Sequence, residues 1–195
     1  RVQEPSGNMI VDIGGGTTEV AVISLGGVVA NKSVRVGGDE LDNSIVQYIK
    51  KEYSVGLGIR TSEELKIKLA SAWVTEELYA EVRGRDLITG LPKTIVTSSS
   101  EIREAIAEPL SAIIDAVKMT LDVTPPELAA DIMEKGIMLA GGGALLHGMP
   151  QCIAHETGMP VCISPEPLHA VALGSGKSLE SFDSLKGVLF SSSQA

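Results

Sequence analysis

Three stretches near the start of the chain are rich in β-branched residues. They occupy residues 9–13, 19–25 and 28–35, and the glycine-containing turns 14–16 and 26–27 separate them. Short β-branched runs bounded by glycines are typical of strands joined by tight turns. The pattern therefore predicts three consecutive antiparallel strands.

The apolar period changes after the third predicted strand. Leu41, Ile45 and Ile49 recur at helical spacing with charged residues between them, which predicts a helix. A second helical pattern extends over residues 101–121 and contains Pro109. Because proline disrupts a helix interior, we expect it to divide this stretch into two helices.

Three further helix starts are predicted by capping boxes, in which a hydroxyl and a glutamate three positions later satisfy each other's amides. The pairs are Thr61/Glu64, Ser98/Glu101 and Thr124/Glu127. The remaining pattern predicts strands over 78–83, 93–97, 136–140 and 160–163. It also predicts a helix from Ala144 with a break near residues 148–150, and a final helix over 169–182.

The order of these elements indicates an α/β fold. The opening and closing segments together predict a mixed sheet covered by helices. The middle of the chain has helices and strands of its own. We therefore expect residues 37–108 to form a subdomain inserted between the segments 1–36 and 109–195.

Charge excludes one class of partner. The 195 residues include 16 lysines and arginines against 25 aspartates and glutamates, which gives a formal net charge of −9. A chain of that sign repels a phosphate backbone, so no nucleic-acid partner is expected. Apolar runs also stay well short of the ~20 residues that a membrane-spanning helix needs.

The cysteines indicate the redox compartment of the protein, and the first residue indicates how the chain arose. Two cysteines, Cys152 and Cys162, are too few for a disulfide framework, and we expect both to be buried thiols in a reducing compartment. The chain begins with Arg1 rather than methionine and carries no signal-peptide pattern. This start favours an excised or processed piece of a longer protein.

Two glycine triplets follow predicted strands, one after Asp12 and one after the strand at 136–140. Consecutive glycines let backbone approach a ligand closely, and the N–H groups of such turns bind anions. Each triplet taken alone is better explained by a plain turn, but two at the edge of one sheet favour a shared nucleotide. The triplets are Gly14, Gly15 and Gly16, and Gly141, Gly142 and Gly143.

The side chains around the first triplet fit phosphate chemistry. Asp12, at a strand end, is suited to hold a hydrated Mg²⁺ bound to a nucleotide. The hydroxyls of Thr17 and Thr18 are suited to donate to a phosphate or to hold an attacking water. Glu19 replaces the third glycine of G-x-G-x-x-G, and Val171 replaces the first glycine of a P-loop before GSGKS. The sequence thus predicts a hairpin clamp on the terminal phosphate.

These motifs resemble a known superfamily. VDIGGGTTEVAVISLGG is similar to the second phosphate hairpin of the actin, sugar-kinase and heat-shock-chaperone superfamily, and MLAGGGALL resembles its adenosine motif. More narrowly, VRVGGDELDNSIVQYIKKEY, SSSEIREAIAEPL and TPPELAADIMEKGIMLAGGGALL resemble the MreB family of bacterial actin homologues. The resemblance covers residues 4–179 and only the C-terminal half of such proteins.

The resemblance implies an α/β, actin-like ATPase fold of the ribonuclease-H-like class. Subdomain IIA, the nucleotide-binding sheet core, would comprise 1–36 and 109–195, and subdomain IIB would be the insertion 37–108. The first phosphate loop, the catalytic glutamate and the membrane-binding elements belong to the N-terminal half, which has no counterpart in this chain.

The resemblance also implies roles for individual residues. Asp12 would face Mg²⁺ through water, Gly14 to Thr17 would hold the β- and γ-phosphates of ATP, and Thr17 or Thr18 would position the attacking water. EELKIK departs from the more usual ERIKHE pattern, and first-turn glutamates are also favoured simply by the helix dipole. The adenosine contacts would be Glu63, Glu64, Leu65, Lys66, Gly141, Gly142, Gly143, Ala144 and Leu145.

The implied function is that of the C-terminal half of an ATP-dependent, filament-forming bacterial actin that directs rod shape. The expected partners are copies of itself and membrane-linked cell-shape proteins, with membrane association of cytoplasmic filaments through the missing half. ATP hydrolysis with Mg²⁺ is expected of the full-length parent and not of this fragment. The alternatives are half of a sugar kinase, half of a chaperone ATPase, or a binding module without a nucleotide role.

Overall fold

The computed structural model describes residues 5–180, which form eight strands and seven α-helices. The strands are β1 (Asn8–Ile13), β2 (Thr18–Ser24), β3 (Gly27–Val34), β4 (Val55–Gly56), β5 (Tyr79–Asp86), β6 (Pro92–Ser98), β7 (Ile137–Ala140) and β8 (Val161–Ile163). The helices are α1 (Gly38–Tyr53), α2 (Ile59–Leu69), α3 (Ser99–Ala105), α4 (Ala107–Asp122), α5 (Pro126–Lys135), α6 (Met149–Thr157) and α7 (Ala170–Glu180). A short 3₁₀ helix spans Gly142–Leu145.

The larger sheet has five strands in the order β3-β2-β1-β7-β8. The pairs β1–β2 and β2–β3 are antiparallel, which confirms the predicted opening meander. The pairs β1–β7 and β7–β8 are parallel, so the sheet is mixed, as expected. β1 lies at the centre of the sheet and joins the start of the chain to its last third.

The chain has two hydrophobic cores. The first packs the inner face of the large sheet against α4, α5 and α6, with Val11, Ile113 and Ile153 fully buried. The second lies between α1, α2, α3 and the antiparallel sheet β4-β5-β6, and is centred on Ile45, Ile49 and Ile102. Nearly every member of this second core comes from a single stretch of sequence between α1 and the start of α4.

At residues 70–73 the chain crosses briefly from the second core to the first, before it continues into β5 of the second core. Ser71 forms an isolated bridge with His147, and the Ala72 amide donates to the His147 carbonyl at 2.7 Å. Gly148 lies so close to Trp73 that a Cβ there would come within 2.5 Å of the Trp73 Cβ. Close backbone packing therefore ties this crossing to the loop before α6.

One predicted capping box is confirmed and two are wrong. Ser98 and Glu101 satisfy each other's amides at the start of α3. By contrast, α2 begins at Ile59 after Gly58, so Thr61 already lies inside the helix. The Thr124 hydroxyl donates to the Thr120 carbonyl at 2.7 Å, and it thus binds the end of α4 instead of capping α5.

Several predicted boundaries shift. The break between α3 and α4 falls at Ile106, three residues before Pro109, because proline fits within the first turn of a helix. The helix predicted from Ala144 is the 3₁₀ turn, and α6 starts only at Met149. Residues 181–182 of the last predicted helix lie outside the described residues.

Two further features differ from the sequence prediction. The two-residue strand β4 was not predicted, since so short a segment carries no period. Cys152 is buried as expected, but Cys162 is exposed, and that prediction is wrong. Cys162 lies on β8, at the edge of the large sheet, where one face of the strand is open.

The Glu101 carboxylate provides a test of the second core. Burial raises its pKa, but hydrogen bonds from Tyr53, Ser98 and Thr97 outweigh this and hold the pKa below its usual range. Tyr53 donates to Oε1 at 2.5 Å, while the Ser98 amide and the Thr97 hydroxyl donate to Oε2 at 2.8 and 3.1 Å. Both oxygens of the Glu101 carboxylate therefore have to act as hydrogen-bond acceptors to satisfy these three donors.

We expect Glu101→Gln to lower the free energy of unfolding at pH 7 by about 1–2 kcal/mol, because the amide turns an N–H₂ toward a donor. The deficit should shrink as pH falls through the lowered pKa of Glu101, where the wild-type carboxylate is itself protonated. Urea unfolding between pH 3 and 7 measures this. Glu104→Gln, at an exposed position on the same helix, is the control, and an equal loss there would contradict the assignment.

Candidate functional site

Both glycine turns leave the same edge of the large sheet. Asp12 on β1 pairs with Ala140 on the parallel strand β7, so the two chains emerge side by side. A cleft of about 580 Å³ opens at this edge, within the size range of small-molecule sites. Its lining includes residues of both turns and of α1 and α2, namely Gly14, Gly15, Gly38, Asp39, Asp42, Glu63, Lys66, Gly142, Gly143 and Leu145.

The second turn needs glycine because it packs directly on β1. Gly141 has φ +80°, and a Cβ there would come within 2.5 Å of Asp12 Oδ1. A Cβ at Gly143 would overlap the side chain of Ile13. The second turn therefore packs directly on the end of β1, an approach that only glycine at these positions permits.

The start of α1 braces the first turn. The amide of Gly38 donates to the Gly14 carbonyl at 2.9 Å, and the amide of Asp39 donates to the Gly15 carbonyl at 2.8 Å. A Cβ at Gly37 would meet these carbonyl oxygens at 2.6 and 2.5 Å. Because exposed carbonyl oxygens repel a phosphate, engaging them favours anion binding at this turn.

Asp12 stands between the two turns as a carboxylate that is poorly stabilised by the protein. Burial raises the pKa of Asp12, and the negative charge of its cross-strand neighbour Glu19 raises it further. Its side chain lies on the partly open face of β1. A carboxylate in such surroundings is stabilised by a cation, and perturbed groups of this kind are common at functional sites.

The two threonines differ in their surroundings. Thr17 is exposed in the turn. Thr18 is fully buried, and its hydroxyl donates to the Val36 carbonyl at 2.8 Å. The Thr18 hydroxyl therefore fixes the strand that leads to α1 and does not face the cleft.

The four predicted residues of α2 fall into two groups. Glu63 and Lys66 line the cleft. Glu64 points to solvent, where it pairs with Arg60 at 3.4 Å. Leu65 is a member of the second hydrophobic core and is 4% exposed. The helical period separates them, since positions three apart share a face and the two between do not.

The 3₁₀ turn shows a similar division. Gly142, Gly143 and Leu145 line the cleft. Ala144 is completely buried in the first core, and Gly141 lies behind the turn against β1. This turn therefore offers backbone and one exposed leucine side chain to a ligand.

Several lining residues were not predicted from the sequence: Gly38, Asp39, Leu41, Asp42, Ile67, Ala70, Leu146, His147 and Leu168. Of these residues, Asp42 could have been recognised from the sequence pattern. It follows Leu41 on the apolar stripe of α1, where an acidic residue at a buried position calls for a partner. The others come together only through the tertiary fold.

The described residues contain neither a cluster of protein metal ligands nor a membrane-spanning helix. Within residues 5–180, no group of three histidine, cysteine or carboxylate side chains is arranged to hold a metal ion. Across the same span, none of the helices combines the length and apolarity needed to cross a bilayer.

The brace between α1 and the first turn predicts a steric effect at Gly37. Gly37 and Gly58 both cap helices in extended conformation, with φ −161° and −77°, and among described residues no atom lies within 4 Å of a Cβ at Gly58. We expect Gly37→Ala to cost about 1–3 kcal/mol in unfolding free energy through overpacking against the turn. Gly58→Ala, the matched control, loses a glycine N-cap without steric overlap and should cost less, about 0.5–1 kcal/mol. Equal losses in chemical denaturation would contradict the brace.

Comparison with known proteins places this geometry in a family. The family model for MreB/Mbl protein matches residues 1–187. The cell shape-determining protein Mbl of Bacillus cereus is 50% identical over 185 residues, covering 93% of this chain and 55% of the relative. The cell shape-determining protein MreB of Escherichia coli is 49% identical over 191 residues, covering 97% and 55%. The chain thus spans about half the length of the curated relatives it matches.

Solved structures agree with the sequence comparison. The crystal structure of MreB5 of Spiroplasma citri bound to ADP has a TM-score of 0.90 and 37% identity, covering 93% of this chain and 56% of that one. A MamK double helical filament matches with a TM-score of 0.74 and 21% identity, over 89% of this chain and 54% of that one, which supports the fold alone. Together these matches confirm the actin-like fold, and the chain belongs to the MreB/Mbl family of cell shape-determining proteins.

Proposed function

We propose that this chain is the C-terminal half of an ATP-dependent bacterial actin that forms filaments and directs rod shape. The observation that carries the proposal is the cleft in which two glycine turns from adjacent parallel strands meet one face of α2. Family membership favours this function over the sugar-kinase and chaperone alternatives. A relative of known structure, MreB5 of Spiroplasma citri, was crystallised with ADP.

In this proposal the two cores are the two subdomains, with residues 37–108 inserted into the sheet domain. ATP lies in the cleft between them. The turn from Gly14 to Thr17 holds the β- and γ-phosphates. The Gly14 amide closes the turn by donating to the Thr17 carbonyl at 2.9 Å, so the phosphates are held by the amides that follow it. Glu63 and Lys66 on one wall, and Gly142, Gly143 and Leu145 on the other, contact the adenosine.

Asp12 would hold Mg²⁺ through water. Mg²⁺ keeps several waters and is commonly bound by one or two carboxylates together with substrate phosphates. One poorly stabilised carboxylate beside a phosphate turn fits that pattern, and a cage of protein ligands is not required. The ion would neutralise charge on the transferred phosphate and orient it.

Hydrolysis in this proposal rests on positioning. The exposed Thr17 hydroxyl is free to orient a water in line with the γ-phosphate, whereas the Thr18 hydroxyl is engaged by Val36. The other phosphate hairpin and the catalytic glutamate would come from the N-terminal half. Closure of the two halves would exclude bulk water from the cleft.

Self-association is the first proposed partnership. A structural neighbour, MamK, forms a double helical filament. The full-length protein would form protofilaments of its own, bind membrane-linked cell-shape proteins, and associate with the cytoplasmic membrane face through its N-terminal half.

The chain and its full-length parent should behave differently with nucleotide. We expect the parent to pellet as filaments with ATP and Mg²⁺ and to release phosphate. The 195-residue chain alone should fold but bind ATP about a thousandfold more weakly, as a loss of ~4 kcal/mol of phosphate contacts implies. It should neither release phosphate nor pellet. Calorimetric titration, phosphate release and sedimentation test this, and turnover by the chain alone would contradict the half-site proposal.

We expect the charge of Asp12 to lower the folding stability of the nucleotide-free chain while supporting ATP hydrolysis in the parent. Because its folded pKa is raised, the charged form costs stability, and the chain should lose stability as pH rises from the unfolded pKa through the folded one. Asp12→Asn should therefore stabilise the nucleotide-free chain at pH 7 and remove that pH-dependent loss. In the parent it should slow Mg²⁺-dependent hydrolysis at least ~10-fold, equivalent to ~1.4 kcal/mol.

Asp115→Asn is the control for Asp12, because it removes an exposed carboxylate of α4. It should change neither stability nor turnover measurably. If Asp12→Asn destabilised the chain and left phosphate release normal, Asp12 would be a turn residue and its assignment to Mg²⁺ would be wrong.

A further inference from the structure

A buried ion pair joins α1 to α2 at the cleft wall. Lys66 Nζ lies 2.7 Å from Asp42 Oδ2, and the two side chains are only 16% and 7% exposed. Lys66 also donates to the Gly38 carbonyl at 3.1 Å. One lysine thus connects α2 both to the first residue of α1 and to the start of its second turn.

Stability does not account for this pair. Removing two charges from water costs free energy that their attraction often fails to recover, so apolar replacements are commonly neutral or stabilising. Asp42 Oδ1 is buried and has no hydrogen-bond partner among residues 5–180. Burial raises the pKa of Asp42 even though hydrogen bonding and charge from Lys66 lower it. The protein therefore tolerates a carboxylate that is incompletely satisfied.

The position of the pair points to a role in the cleft. Asp42 and Lys66 both line it. An ammonium has three N–H donors, and two of those of Lys66 are used by Asp42 and Gly38. The third remains for a ligand. Gly38 in turn donates to the Gly14 carbonyl, so the lysine is fixed relative to the phosphate turn.

We propose that Asp42 is a positioning residue that holds the Lys66 ammonium against the cleft wall, so that its remaining N–H meets an oxygen of the bound adenine nucleotide. This inference rests on the proposed function. A free lysine loses much side-chain entropy when it binds a ligand. Asp42 lowers that cost by restricting Lys66 before a ligand binds.

The test measures ADP affinity and unfolding free energy of the full-length protein in a double-mutant cycle. Asp42→Asn and Lys66→Met should each weaken ADP binding about tenfold, which is ~1.4 kcal/mol. The double variant should bind ADP no more weakly than Lys66→Met alone, because Asp42 acts only through the lysine. Additive losses would show that Asp42 acts independently, and would overturn the proposal.

A second variant keeps the test valid where an unpaired buried charge prevents folding. Asp42→Leu combined with Lys66→Met replaces the pair by apolar side chains. It should unfold at the same or higher denaturant concentration as wild type and still bind ADP about tenfold more weakly. Wild-type affinity in this variant would show that the pair has no part in binding.

Ser62→Ala is the matched structural control. The Ser62 hydroxyl is fully buried and donates to the backbone carbonyl of Asp42 at 2.7 Å, in the same α1–α2 contact. Its removal should lower stability and leave ADP affinity unchanged. If Ser62→Ala lost as much ADP affinity as Asp42→Asn, a general loosening of the α1–α2 contact would explain both losses. That result would contradict the proposal.

The outcomes also separate this inference from the proposed function. If wild-type full-length protein binds no ADP, the nucleotide function itself fails, and the positioning role fails with it. If wild type binds ADP and Asp42→Asn binds it equally well, only the positioning role fails.

Discussion

The parallel pairing of β1 with β7 is the contact on which the candidate site depends. It brings together strands from the first and last thirds of the chain, with Asp12 beside Ala140. Because parallel strands end at the same edge of a sheet, the two glycine turns become neighbours. Register matters as much as pairing. A slip of one residue would turn Asp12 into the core and expose Val11, so the buried alternation of β1 also fixes the carboxylate.

The second core acts on the site through two attachments on either side of the cleft. At one, the amides of Gly38 and Asp39 bind the carbonyls of the first turn. At the other, Ala72 binds the His147 carbonyl just after the 3₁₀ turn. A ligand that touches α2 and both turns therefore contacts both cores at once. The cleft is accordingly a place where ligand binding and the relative position of the two cores are coupled.

Local patterns predicted the sheet and both turns, because alternation and glycine triplets are properties of short segments. They failed where a side-chain hydroxyl has more than one possible backbone partner. The Thr124 hydroxyl binds the end of α4 rather than capping α5, and the Thr18 hydroxyl binds Val36 rather than facing the cleft. The resemblance implied a ligand role for residues 63–66 of α2, but only the helical period decides that Lys66 lines the cleft while Leu65 packs in the core. The role of Asp42 required the fold, because its partner lies on another helix.

The charges of the cleft constrain what it can bind. Its lining within the described chain includes Asp39, Asp42 and Glu63 against Lys66, and Asp12 stands close behind the turns. Lys66 is already paired, so its charge is largely balanced by Asp42. A bare triphosphate would meet net negative charge here, and the turn amides provide only partial positive charge. A divalent cation carried with the phosphates reverses this balance, since it attracts both the ligand and Asp12. Under the proposed function, the acidity of the cleft would therefore favour a metal-bound nucleotide over a free one, and the affinity of this half-site would depend on the cation as much as on the glycine turns.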